Sequence, residues 1–150
     1  MLLPLKLQSF LEECKTDITA IGWVRALTDE SEFSSSVRDI VTEDTNISLI
    51  GVLPNVRLKG DLDNITFSNT HLFYCVKKTD SKAGDENYLQ IFEDCANAVL
   101  ELLAKFKKDQ AEGDGLCKIG EFIFNSASIE PVRGYLGTNG YVLNIDLITV

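Results

Sequence analysis

The stretch "ITFSNTHLFYCVKK", Ile65 to Lys78, decides the fold. By two-residue alternation Ile65, Phe67, Phe73 and Cys75 share one face, and Leu72, Tyr74 and Val76 share the other. From Leu72 to Val76 both faces are apolar, which predicts a strand sandwiched or central in its sheet. The rest of the chain must then supply strands beside it and layers above and below it.

Two segments have the helical period needed for a layer. Leu3, Leu7, Phe10, Leu11, Cys14 and Ile18 recur at three- and four-residue steps, and Pro4 suits a first turn, so a helix is predicted over about 4–17. The longer stripe of Tyr88, Ile91, Phe92, Cys95, Val99, Leu102, Leu103 and Phe106 predicts a helix over about 86–109. Asp85 is placed to cap it and Glu86 to complement its dipole. The basic "KFKK" of Lys105 to Lys108 does the same at the other end, and Glu101 is spaced to pair with Lys105. The glycines of "AEGDG" stop it.

Strand signals fill most of the remainder. "ITAIGWVRAL", Ile18 to Leu27, is apolar and contains Gly22, which disfavours a helix; its Trp23 reads as a core or half-buried aromatic. "ISLIGVL", Ile47 to Leu53, is a strand stopped by Pro54, which cannot donate to a ladder. Leu116 to Phe124 and "SIEPVRGYL" are extended, the latter at an edge or break because of Pro131. "GTNG", Gly137 to Gly140, has the residues of a tight hairpin turn. The strand after it puts Tyr141, Leu143, Ile145 and Leu147 on one face and Val142, Asn144 and Asp146 on the other. Thr28 to Asn46 is polar and acidic, with a weak apolar set of Val37, Ile40 and Val41, and reads as a long loop with at most one helical turn. It is a candidate interacting arm, as is the loop 78–87. The expectation is one domain, 1–150, of α+β class: an antiparallel or mixed sheet with two main helices, a C-terminal hairpin and a long acidic loop at about 28–46.

Composition bounds the function. At 150 residues, 45% hydrophobic and 25% charged, the chain is an ordinary globular protein. Its net charge of −9 repels phosphate backbones and anionic lipid, so neither nucleic acid nor a membrane is an expected partner. No apolar run reaches the ~20 residues of a membrane span. The start "MLLPLKLQSFLEE" lacks a basic leader and a small-residue cleavage site, so no signal peptide is read. Cys14, Cys75, Cys95 and Cys117 are scattered through apolar stretches, which suits reduced, buried thiols in a cytoplasmic protein better than a disulfide framework or a zinc site.

Chemistry is sparse. Phosphate-loop, dinucleotide-loop and nucleophile-elbow patterns do not occur. "GDLDN" places Asp61 and Asp63 as in a calcium loop. Ile65, Thr66 and Leu72 then stand where a ligand, a glycine and a glutamate belong. His71, the only histidine, lies in the central strand without a recognisable nucleophile or acid partner; a small enzyme built on it is the weakest reading. No catalytic, cofactor-binding or metal-binding residue is singled out, no cofactor is expected and no small-molecule ligand is identified.

Three segments together carry a resemblance: "NITFSNTHLFYCVKKTD", "DENYLQIFEDCANAVLELLAKFKKD" and "IEPVRGYLGTNGYVLNIDLITV". A strand ending in a "KKTD"-like turn, a long amphipathic helix, an "EPV" segment and an "NGY" hairpin resemble small tail-assembly proteins of long-tailed phages and prophages, the tail terminator and tail completion group. The resemblance spans about residues 64–150 and is one of element order, so no functional residue is carried over. It implies a non-enzymatic subunit of a small α+β fold that forms rings, with itself and tail tube or connector proteins as partners. It also implies a bacterial host cytoplasm and incorporation into a virion. The alternative is a cytoplasmic protein-binding or regulatory module acting through the acidic 28–46 loop.

Overall fold

The computed structural model describes residues 2–40, 46–53, 57–59, 66–79, 84–113 and 118–149; the side chains of 57–59, 66 and 67 are left out of the description. Helix α1 (Pro4–Asp17) precedes strand β1 (Ile21–Leu27). A 3-10 turn (Glu30–Glu32) leads into helix α2 (Phe33–Asp39). Then come β2 (Ile47–Val52), β3 (Arg57–Lys59), β4 (Thr66–Lys78), helix α3 (Asp85–Glu112), β5 (Glu121–Tyr135) and β6 (Thr138–Thr149). The six strands form one mixed sheet in the order β1-β2-β4-β6-β5, with β3 also paired to β4. Only β1 and β2 run parallel. The fold is α+β.

β4 is central, as its two apolar faces require. It runs antiparallel to β6 from Phe67↔Thr149 to Lys78↔Thr138 without a register shift. On its other side β2 pairs with Leu72 to Val76, and β3 pairs with Thr66 to Ser68. Phe73 and Cys75 enter one core with α1, α3, Leu143, Ile145 and Leu147. Tyr74 and Val76 enter a second core with Phe33, Val37, Ile50, Val132 and Val142. The larger core is organised by rings from four elements: Phe10, Phe73, Phe106 and Phe122. Phe106 stacks on Phe122 at 4.2 Å and lies 5.5 and 5.2 Å from Phe10 and Phe73.

Several local expectations need correction. The 28–46 stretch is not a free loop: Phe33, Val37 and Ile40 are buried against the back of the sheet, and the described part of it is mostly helix. Their spacing is helical but too short to register against so polar a background. Val41 to Thr45 lie outside the described residues, as do "GDLDN" and Cys117. Leu3 is exposed, because it is the residue before the first turn of α1 and not part of its buried face. Gly84, not Asp85, is the N-cap of α3, and no side chain caps it. α3 runs on to Glu112, so Lys105 to Lys108 stand upstream of its last turn; Lys105 pairs with Asp17 and Asp109, not with Glu101.

From Glu121 onward the two extended segments before the hairpin are one strand, β5, with a register shift between Ile123 and Ser128; Lys118 and Ile119 form a turn ahead of it, and Leu116 lies outside the described residues. Pro131 is tolerated in it because β5 is an edge strand. The hairpin turn is Leu136-Gly137, with Tyr135 opposite Thr138, so most of "GTNG" is strand. Gly140 serves a different need: at φ 152° it lets β6 lie so close to β4 that a Cβ would stand 2.2 Å from the Cys75 carbonyl oxygen.

Because Phe106 ties α3 to three other elements, Phe106→Ala should cost about 3–5 kcal/mol, the range for an aromatic deleted from a packed core. Urea denaturation followed by tryptophan fluorescence measures it; a loss below about 1 kcal/mol would contradict the shared ring cluster.

Candidate interaction surfaces

β1 and β5 end the main strand order, and the chain treats their outer edges with similar devices. On β1, the Ala26 N–H donates to Gln8 Oε1 of α1 at 2.7 Å. On β5, the Phe122 N–H donates to Gln110 Oε1 at 2.7 Å, and Gln110 Nε2 donates back to the Phe122 carbonyl at 3.2 Å. A glutamine from each long helix therefore occupies backbone groups that would otherwise template a foreign strand. Arg25 on β1 is further held by an ion pair with Asp39 of α2 and lies over the Trp23 ring. Trp23 itself is half-buried, as a packed aromatic would be.

The far half of β5 is built otherwise. Beyond Ser128 the strand is largely solvent-facing, and Ile129, Tyr135 and Leu136 expose 41%, 42% and 47% of their surfaces. Leu136 has φ 50° and Gly137 has φ 81°. Two positive values in a two-residue loop make a type I′ turn. Glycine adopts this freely, but a leucine in the left-handed region costs roughly 1–2 kcal/mol. The hairpin is nonetheless fixed. The Gly134 N–H donates to Asn139 Oδ1 at 2.7 Å, the Thr79 N–H to the Gly137 carbonyl at 2.9 Å, and Thr138 Oγ1 to the Tyr135 carbonyl at 2.7 Å. Tyr135 packs 5.0 Å from Phe33, so α2 braces the base of the turn. Phe33 in turn meets Tyr74, whose hydroxyl donates to Glu30. Burial and that carboxylate push the Tyr74 hydroxyl well above the ordinary tyrosine range.

An open cleft of ≈ 620 Å³ lies between the C-terminal parts of α1 and α3. Its charges are spent on one another. Lys105 Nζ reaches Asp17 at 2.6 Å and Asp109 at 2.8 Å, and Lys118 reaches Glu13 at 2.8 Å. Burial alone would lower the Lys105 ammonium, but the bonds to Asp109 and Asp17 outweigh it and the net shift is upward. The hydrogen bond from Lys105 lowers Asp17. The cleft is thus a clasp between two helices in which Lys105, Lys108 and Lys118 are each paired with a carboxylate.

His71 is fully buried on the α1–α3 face of β4, stacked 5.9 Å from Phe73, and neither ring nitrogen has a hydrogen-bond partner among the described residues. Burial pushes its pKa down to about 4, with Asp146 opposing weakly. Its imidazole is therefore held neutral and enclosed within the larger core. The thiols of Cys14, Cys75 and Cys95 are buried. Burial raises the Cys75 thiol strongly and pushes Cys95 up to about 12, the opposite of activation. Among the described residues no cluster of three or more His, Cys, Asp or Glu side chains is arranged for a metal, and no helix is long and apolar enough to cross a membrane. Comparison with protein-family models, curated proteins and solved structures finds no match for the chain.

His71 makes stability pH-dependent. Its folded pKa of about 4 lies below the ordinary 6.5. The unfolded chain therefore binds more protons between these values, and stability falls as pH drops from 6.5 towards 4. The full effect is on the order of 3 kcal/mol. His71→Leu should flatten the urea midpoint across that window relative to the parent protein; equal slopes in both would refute the assignment.

Proposed function

We propose that this chain is a non-enzymatic structural or assembly subunit of a phage or prophage tail, a terminator or connector that works through ring-forming contacts with itself and with tail tube proteins. The observation that carries the reading is the asymmetric β5 edge. Its near half is closed by Gln110, while its far half and hairpin tip present Ile129, Tyr135 and a strained Leu136 to solvent. Strain kept at an exposed apolar position suits a contact that forms only in an assembly. A projecting edge that meets a different surface of the next copy is a heterologous contact, which closes into a ring if the rotation permits. The element order over about residues 64–150, with its resemblance to tail proteins, supports the same reading. The subunit would be made in the cytoplasm of a bacterial host and end in the virion. The alternative, a regulatory module acting through an acidic arm, loses support because Phe33, Val37 and Ile40 hold that segment against the sheet.

The reading predicts concentration-dependent rings of about six copies, seen by light scattering and negative-stain microscopy. Leu136→Asn should separate the two roles of the tip. It places Asn before Gly137, the favoured type I′ pair, and should stabilise the monomer by about 1 kcal/mol. The same change should weaken ring formation. A protein that stays strictly monomeric, even when mixed with tail tubes, would sink the proposal.

A further inference from the structure

The outer face of α3 has a symmetry that the core does not demand. Leu100 stands at its centre, 59% exposed. Four residues to either side lie Ala96 and Ala104; seven to either side, Glu93 and Lys107; eleven to either side, Leu89 and Ala111. At 3.6 residues per turn all of these fall within about 40° of the Leu100 direction, so they form one straight row. The buried residues Cys95, Val99, Leu102 and Phe106 lie on the opposite side of the helix. Along the row Leu89 is 66% exposed, Ala96 is half-buried, and Glu93, Ala104, Lys107 and Ala111 are exposed. Lys107 lies over the Phe124 ring at 5.7 Å, which tilts its charge along the sheet side of the row without burying it.

We infer that this row is a docking surface for α3 of a second copy of the chain, crossing antiparallel about a two-fold axis at Leu100. The axis sets Leu100 against its counterpart. Each Ala96 then faces an Ala104, so the helices approach closely around the central leucines. Each Glu93 faces a Lys107 twice over, once on either side of the axis, and each Leu89 faces an Ala111. The reverse, parallel arrangement would oppose Glu93 to Glu93 and Lys107 to Lys107. The occupant is therefore chosen by charge and size together, and it is the chain itself. The local neutrality also answers the net charge of −9, which otherwise repels a second copy. Opposed helix dipoles favour the same direction. From Leu89 to Ala111 the row is about 33 Å long. At the width of one helix this is below the ~800 Å² per partner of a tight complex, so the dimer is weak and concentration-dependent. The contact is isologous and stands apart from the β5 edge, so it does not rest on the tail reading.

Sedimentation velocity of the whole chain over a concentration series tests it. Beside any ring, the parent protein should show a distinct monomer–dimer step. Leu100→Glu should weaken it more than about thirtyfold, the range for a central buried contact, while far-UV circular dichroism stays unchanged because the position is exposed in the monomer. Glu93→Lys and Lys107→Glu should each weaken it severalfold, and the two together should restore it to near the parent value. Leu136→Asn should leave it untouched, which separates this dimer from any ring. A parent protein without dimer at any concentration, a folded Leu100→Glu variant that dimerises as before, or a charge-swapped pair that fails to recover would each overturn the inference.

Discussion

Everything in this molecule depends on the position of β4, a strand whose middle is apolar on both faces and hydrogen-bonded on both edges. Such a strand is stable only if two cores and two neighbours form together. The chain meets the demand with α1 and α3 on one face and α2 on the other. β6 lies along one edge of β4, and β2 followed by β3 lies along the other. Phe73 and Tyr74 are adjacent in sequence yet belong to different cores. A one-residue slip would exchange them and every neighbour with them. The unbroken β4–β6 ladder and the close approach at Gly140 hold that register.

Much of this was legible in the sequence. The bounds of α1, the central place of β4, the β6 alternation and the edge position of Pro131 all follow from strong local signals: a long periodic stripe, a doubly apolar strand, a proline that cannot donate. What was not legible depends on distance. α2 has a single short turn of apolar residues, and only the back of the sheet, built from residues elsewhere in the chain, makes Phe33 and Val37 worth burying. Lys105 has a carboxylate four residues to either side, Glu101 and Asp109; it takes Asp109 together with Asp17 of α1, which is distant in sequence. Glycines and an asparagine point to "GTNG" as the turn, but the register of β5 on β6 puts it at Leu136-Gly137 and leaves a leucine in it. The exposure of that leucine and the glutamine clasps on the two edges are likewise tertiary facts.

The surfaces that carry the functional reading share a logic. Buried titratable groups are kept neutral or paired: His71 and the thiols by desolvation, Lys105 by its two carboxylates. Exposed apolar side chains stand on the β5 tip and the outer row of α3, as well as at Leu3 and Leu5 at the start of α1.

One consequence concerns how the chain is made. β4 and β5 are joined in the sheet only through β6, which follows both of them in sequence. Until β6 leaves the ribosome, β4 lacks its longest ladder and β5 has no strand to pair with at all. The larger core would wait half-built, with Phe73 and Phe106 in place and no Leu143, Ile145 or Leu147 to close over. Folding is therefore postponed to the end of synthesis of this domain and then depends on contacts between distant residues, which form slowly. In that interval the nascent chain offers a bare strand edge and an unfinished apolar face, the condition in which chaperones are most needed and in which nearby copies on one messenger are most prone to pair wrongly.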